Sequence, residues 1–128
     1  MIVVDASALV AILAREPERE AFLTVLTDSQ AVLSPIGYWE AAVAVRRALG
    51  NEGAAALDAL LASLNIEIRP AFAKTAGAAV EAETLYGKRT GAGLNLGDCF
   101  AYALAKELDA PLLYKGADFT ETDIAPAV

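Results

Sequence analysis

Short apolar segments alternate with longer segments of helical character along this 128-residue chain, and this alternation is the feature that most constrains its fold. The strand candidates are Ile2–Val4, Ala31–Leu33, Ile66–Ile68 and Leu112–Tyr114. Strands that alternate with helices predict a mostly parallel sheet, because a parallel neighbour is reached only through a crossover connection, usually a helix. The sequence therefore predicts the α/β fold class, with helices on both faces of the sheet.

Serine, proline and glycine residues indicate where the intervening helices begin and end. Ser34 is typical of an N-cap, Pro35 of the first helical position, and Gly50 of a helix end. A polar turn from Gly116 to Asp123 follows the fourth strand, and Ile124 begins a last short strand. The predicted helices run from Ser7 to Ala14, Pro17 to about Thr27, Pro35 to Leu49, Ala54 to Leu64, Phe72 to about Tyr86, and Asn95 to about Leu108.

The charged and metal-binding residue types restrict the chemistry that this chain can perform. A net charge of −7 argues against a basic nucleic-acid-binding surface and favours bound cations or a basic protein partner. The chain has no histidine, which excludes histidine-based triads and histidine-rich zinc sites. Any hydrolytic chemistry must therefore use carboxylates, a metal ion, or both.

The sequence also bears on where the protein works. A single cysteine, Cys99, cannot form an internal disulfide and is in keeping with a reducing compartment. The first residues lack a basic segment followed by a long apolar run, and no stretch of about 18 apolar residues is present. We therefore expect a cytoplasmic protein of one domain with no membrane span.

Three carboxylates stand alone in segments that carry no other charge. These are Asp5 within residues 1–14, Glu40 within residues 29–45 and Asp98 within residues 90–105. Apolar surroundings predict burial, and an isolated buried carboxylate is costly unless it is paired, hydrogen-bonded or bound to metal. A shared site explains all three better than coincidence does.

The predicted elements bring most of these acids to one edge of the sheet. Asp5 ends the first strand, Glu40 lies about one and a half turns into the helix after the second strand, and Asp118 follows the fourth strand. The carboxyl ends of parallel strands form the edge where ligands bind. Asp98 begins the helix before the fourth strand, so it joins them only if that helix start folds over the same edge.

Each acid also has a purely structural interpretation. Asp5 and Asp98 are suited to capping a helix, and Asp118 to an Asx-turn. Glu40 has no obvious neighbour, so its structural alternative is a buried ion pair with Arg46 or Arg47.

Several carboxylates in one pocket repel one another and hold protons unless a cation intervenes. A donor set of oxygen alone suits Mg²⁺ or Mn²⁺. Such ions stabilise phosphoryl oxygens and activate water for in-line attack. A pocket of carboxylates therefore repels phosphate when it holds no metal ion and attracts phosphate when it holds one. This weakens the argument that the negative net charge makes against a nucleic-acid substrate.

Five segments of the chain together form a recognisable pattern: residues 4–9 (VDASAL), Ser34-Pro35 with Glu40, residues 94–105 (LNLGDCFAYALA), residues 112–119 (LLYKGADF) and Thr122-Asp123-Ile124. In these segments the chain resembles PIN-domain ribonucleases, and within them VapC-type toxins of bacterial toxin–antitoxin pairs. The resemblance implies one three-layer α/β/α domain over residues 1–128 with endoribonuclease activity that depends on Mg²⁺ or Mn²⁺. It further implies an RNA substrate, inhibition by a cognate VapB-type antitoxin, and a homodimer.

The resemblance assigns roles to individual residues. Asp5, Glu40, Asp98 and Asp118 match the catalytic acids of the family; we expect Asp5, Asp98 and Asp118 to hold one ion, with Glu40 acting through water or a second ion. Three further residues match supporting positions. Ser7 supports the first aspartate, Asn95 is a polar residue near the site, and Asp123 is either a peripheral ligand or an ordinary cap or turn acid.

Positive charge occurs in two pairs, Lys88-Arg89 and Arg46-Arg47. Both pairs are candidates for contact with RNA or antitoxin, the alternatives being a solvated loop for the first and a helix C-terminus for the second. We expect the bulky Trp39 to lie in the core rather than on an RNA-stacking surface.

Two rival functions remain open at this point. One is a phospho-receiver-like signalling module, a doubly wound domain with clustered aspartates and a late lysine, here Lys115. The lone Asp5 argues against it, because a receiver needs an acidic pair near its first strand. The other is a catalytically inactive PIN domain that acts only by binding.

Overall fold

The computed structural model describes residues 1–128 and contains four strands and six helices. The strands are β1 (Ile2–Val4), β2 (Ala31–Leu33), β3 (Glu67–Ile68) and β4 (Leu112–Leu113). The helices are α1 (Ala6–Leu13), α2 (Arg19–Thr27), α3 (Pro35–Leu49), α4 (Asn51–Ser63), α5 (Ala73–Tyr86) and α6 (Leu96–Glu107). All strand pairs are parallel, in the order β3-β2-β1-β4. The predicted α/β class with a parallel sheet is confirmed.

The helices form one layer on each face of the sheet. Side chains alternate along a strand, so Ile2 and Val4 of β1 enter one core and Val3 enters the other. The first core contains residues of α1, α2, α3 and α4, and the second contains residues of α5 and α6. These three layers, α/β/α, bury the sheet on both faces, as parallel sheets require.

Local capping explains both boundaries of α3. Ser34 Oγ accepts a hydrogen bond from the Ile36 N–H at 3.1 Å, and Pro35 occupies the first turn of α3. Gly50 ends α3 with a φ of 74°, a conformation that favours glycine. The chain then enters α4 at once, so this helix begins at Asn51 and not at the predicted Ala54.

Two further predictions of element boundaries were wrong. The second helix begins at Arg19 instead of Pro17, because the Arg19 N–H bonds to the Glu16 carbonyl and closes a tight turn around Pro17 first. The last strand predicted at Ile124 is a single parallel bridge between Leu112 and Pro126. Leu112 donates to the Ala125 carbonyl and accepts from the Ala127 N–H, and the pairing extends no further.

The parallel order brings the carboxyl ends of all four strands to one edge of the sheet. Asp5 follows β1, Ser34 follows β2, and the segment from Tyr114 to Asp118 follows β4. No helix is both long enough and apolar enough to span a membrane.

Candidate active site

Asp5 lies directly after β1, and its side chain is only 5% exposed. Its Oδ2 accepts hydrogen bonds from the Ser7 N–H at 3.1 Å and from Ser7 Oγ at 2.6 Å. Asp5 therefore caps α1, and its carboxylate is held in place by the first turn of that helix. Ser7 Oγ also accepts a hydrogen bond from the Lys115 N–H at 3.0 Å, which joins the end of β4 to this aspartate.

Asp98 lies in the first turn of α6 and is 7% exposed. Asn95, not Asp98, is the N-cap of this helix, so the alternative that Asp98 is an N-cap was wrong. The two residues form a reciprocal capping box: Asn95 Oδ1 accepts from the Asp98 N–H at 2.8 Å, and Asp98 Oδ2 accepts from the Asn95 N–H at 3.0 Å. This box fixes the direction in which Asp98 leaves the helix.

Glu40 lies in the second turn of α3 and is half-buried. Its carboxylate lies against the backbone of Gly97, the residue before Asp98. It forms no ion pair, and Arg46 and Arg47 are exposed in the last turn of α3, so the predicted alternative of an arginine partner was wrong. The contact with Gly97 is the point at which α3 and α6 meet across the sheet edge.

Asp118 lies in the exposed turn after β4, and its side chain makes no hydrogen bond, so it does not form an Asx-turn. Its neighbour Phe119 is fully buried and packs on Tyr114, with ring centroids 5.0 Å apart. The buried phenylalanine thus anchors the turn that carries Asp118.

Burial and neighbouring negative charge raise the pKa values of Asp5, Glu40 and Asp98. Burial raises the pKa of Glu40 to about 7, and the negative charges of Asp5 and Asp98 add to this shift. Burial raises the pKa of Asp98 to about 6, with contributions from Asp5 and Asp118, although the Asn95 N–H and Lys88 oppose the shift. Burial also raises the pKa of Asp5, to which Asp118 contributes. The acids that the sequence singles out are therefore neighbours.

The residues at this site fit a hard divalent cation. The donors are carboxylate oxygens, and the nearby Cys99 is buried with a raised thiol pKa, which keeps it a neutral thiol rather than a metal-binding thiolate. No group of three acidic side chains is placed to hold one ion directly. An ion here would therefore bind fewer carboxylates and complete its shell with water, as Mg²⁺ usually does.

Asp123 lies apart from these interactions. Its Oδ1 accepts from the Tyr102 hydroxyl at 2.5 Å, and Lys106 Nζ donates to its Oδ2 at 3.1 Å. These two bonds lower the pKa of Asp123. The Asp123 carboxylate thus links the turn near the C-terminus to the second half of α6.

The predicted cationic residues lie in different surroundings. Lys88 is near enough to Asp98 to affect its pKa, and Arg89 beside it is exposed. Arg46 and Arg47 lie about two turns beyond Glu40 along α3. Lys115 forms ion pairs with Glu16 and Glu18 instead of with the acidic cluster, unlike the late lysine of the receiver hypothesis.

Trp39 is 63% exposed, so the prediction that it belongs to the core was wrong. The buried positions of α3 are Gly37, Ala41 and Val45, spaced four residues apart. Trp39 lies two residues from Gly37 and from Ala41, which turns it about 200° away from that face. Helix geometry therefore overrides its hydrophobicity.

An apolar groove of about 460 Å³ runs between α5 and α6 beside the acidic site. Val80, Leu96 and Phe100 line it, and it extends to Lys88 and Asn95. Val80 and Leu96 are 65% and 69% exposed, so the groove presents apolar surface to solvent next to the acids.

Comparison with known proteins agrees with this fold and site. The sequence model of the PIN domain matches residues 2–125, and the chain therefore belongs to the PIN-domain family. Within that family its relatives are of the VapC type, which confirms the predicted resemblance. Ribonuclease VapC30 of Mycobacterium tuberculosis is 44% identical over 125 residues, which cover 96% of this chain and 95% of the relative. Ribonuclease VapC of Mycolicibacterium smegmatis is 42% identical, with coverages of 96% and 97%.

Solved structures share the fold at low sequence identity. VapC20 of Mycobacterium tuberculosis, described as a toxin that cleaves the sarcin–ricin loop, superposes with a TM-score of 0.80 at 17% identity and covers 98% of this chain and 97% of its own. A chain from a toxin–antitoxin complex of Klebsiella pneumoniae gives a TM-score of 0.73 at 18% identity, with coverages of 96% and 93%. These likenesses establish the three-layer PIN fold.

Proposed function

We propose that this chain is a single PIN domain over residues 1–128 that acts as a metal-dependent endoribonuclease, the toxin of a toxin–antitoxin pair. The observation that carries the proposal is the convergence of Asp5, Glu40 and Asp98 at one edge of the sheet with no arginine partner. Burial raises the pKa of each, and the charges of Asp5 and Asp98 add to the shift at Glu40. Relatives that cover nearly the whole chain are named VapC ribonucleases.

The acids divide the work between ion binding and proton transfer. Asp5, Asp98 and Asp118 would hold Mg²⁺ or Mn²⁺, at least one of them through a bound water, because no three acids are placed to contact one ion directly. An ion bound there would stabilise charge at the phosphate and lower the pKa of its water. Glu40, whose pKa burial raises to about 7, would assist the ion through bound water and is suited to take a proton from the attacking water.

Supporting residues hold this arrangement and attract the substrate. Ser7 orients Asp5, and Asn95 orients Asp98 through the capping box. Lys88, next to Asp98, and Arg89 contact RNA phosphates or an acidic antitoxin segment, with Arg46 and Arg47 extending the basic surface further away. Asp123 acts at most as a peripheral residue, because its carboxylate is already bonded to Tyr102 and Lys106.

The partners follow from the family and from the surface beside the site. We infer a VapB-type antitoxin that covers the apolar groove between α5 and α6, and a structural neighbour comes from a toxin–antitoxin complex.

We also infer a homodimer in the cytoplasm. Light scattering on the purified toxin measures this assembly, and a monomer at high concentration would contradict it.

The decisive experiment is RNA cleavage by protein purified free of antitoxin. We expect a mixed pool of cellular RNA to be cut with Mg²⁺ or Mn²⁺, cleavage to stop when EDTA is added, and excess Mn²⁺ to restore it. The mixed pool guards against a narrow RNA preference. Cleavage that persists in EDTA would contradict metal dependence, whereas a protein that binds Mn²⁺ and cuts no RNA in the pool would be the inactive binding module.

A further inference from the structure

Gly97 occupies a helical position where the backbone does not require glycine. It is the second residue of α6, and its φ is not in the left-handed region adopted by Gly50, Gly93 and Gly116. Glycine in a helix is less favourable than alanine because it loses more conformational freedom on folding. The glycine therefore has a local cost that backbone conformation does not explain.

The surroundings of Gly97 supply the explanation. A Cβ added here would meet the Glu40 carboxylate, whose Oε1, Cδ and Oε2 are the three nearest atoms, all closer than 3.0 Å. Gly77, a glycine within α5, has nothing within 4 Å of such a Cβ. The Glu40 carboxylate thus fills the space that any side chain at position 97 would take.

The same contact brings Glu40 into the acidic site. Gly97 directly precedes Asp98 in the chain, so the Glu40 carboxylate, which packs against Gly97, lies beside Asp98. The charge of Asp5 also contributes to the raised pKa of Glu40, after burial. A glutamate side chain is flexible at its far end, so a methyl group at position 97 would turn Glu40 away rather than move α6. The expected consequence is a folded protein with a displaced Glu40.

We propose that Gly97 is a positioning residue, whose missing side chain lets the Glu40 carboxylate lie among the other acids. This inference rests on the proposed function, in which Glu40 assists metal binding and catalysis. Groups that orient or support metal ligands typically change metal affinity or activity by about 10–100-fold when they are altered. Gly97→Ala should therefore weaken Mn²⁺ affinity and RNA cleavage, each by about the same factor as Glu40→Ala.

A double-mutant cycle tests the proposal, with Mn²⁺ affinity by calorimetry, RNA cleavage and thermal unfolding as readouts. In Glu40→Ala the carboxylate is gone and the methyl group fits, so adding Gly97→Ala should change Mn²⁺ affinity and cleavage less than about twofold. The matched control Gly77→Ala should leave both unchanged. The Glu40→Ala/Gly97→Ala variant has room for the methyl group, so the cycle remains informative even if Gly97→Ala alone folds poorly.

Each outcome separates this inference from the proposed function. If Glu40→Ala weakens Mn²⁺ binding and cleavage but Gly97→Ala weakens neither, the positioning role is overturned and the proposed function stands. Equal losses from Gly97→Ala in both backgrounds would also overturn it, because the glycine would then act without Glu40. If Glu40→Ala itself behaves as wild type, the role of Glu40 in the proposed function fails, and that of Gly97 fails with it.

Discussion

Replacing Asp98 by asparagine should reduce metal-dependent RNA cleavage by about 100-fold or more while the protein stays folded. The asparagine Oδ1 can still accept the Asn95 N–H that Asp98 Oδ2 accepts, so the capping box survives. What is lost is one negative charge of the metal site. Asp5→Asn should behave in the same way, because an amide oxygen can still accept from Ser7.

Three measurements distinguish lost chemistry from lost structure. The value of kcat/KM reports cleavage, calorimetry reports Mn²⁺ affinity, and thermal unfolding in EDTA reports stability. Asp109→Asn is a matched control, since Asp109 is exposed and has a φ of 50°, which asparagine also tolerates. Full activity in both Asp5→Asn and Asp98→Asn would refute the carboxylate mechanism.

Much of the site could be predicted because burial and strand order leave marks in the sequence. Asp5 and Glu40 stand alone in apolar segments next to strands, and parallel strands bring such positions to one edge. Asp98 could not be placed in this way. It reaches the edge because α6 packs against α3 and α5, a tertiary arrangement that the local sequence pattern does not predict.

Other features depended on geometry that composition conceals. Trp39 was wrongly assigned to the core because hydrophobicity alone does not tell which helix face a residue occupies. Gly97 was missed as a site residue, although a glycine inside the alanine-rich α6 was a usable signal. The role of Gly97 becomes apparent only from its contact with Glu40, a residue far away in the sequence.

The acidic site should also make the metal-free protein less stable as pH rises. Glu40 and Asp98 have pKa values of about 7 and about 6 in the fold, above their ordinary values of 4.5 and 3.8. A group whose pKa is raised by folding contributes stability when protonated, and that stability is lost as pH rises through the folded pKa. Most of the loss therefore falls between about pH 4 and about pH 7.

Thermal unfolding in EDTA across this range measures the effect. Because Glu40 is half-exposed and partly screened by solvent, we expect a combined loss of about 2 kcal/mol, or about 5–10 °C in Tm. Saturating Mn²⁺ should restore stability at about pH 8 and have little effect at about pH 5, because protons then compete for the same oxygens. In the variant Glu40→Gln/Asp98→Asn, Tm should lose most of its dependence on pH and on Mn²⁺. A metal-free Tm that rises steadily from about pH 4 to about pH 7 would contradict the prediction, because burial and the neighbouring negative charges both disfavour the ionised carboxylates in the fold.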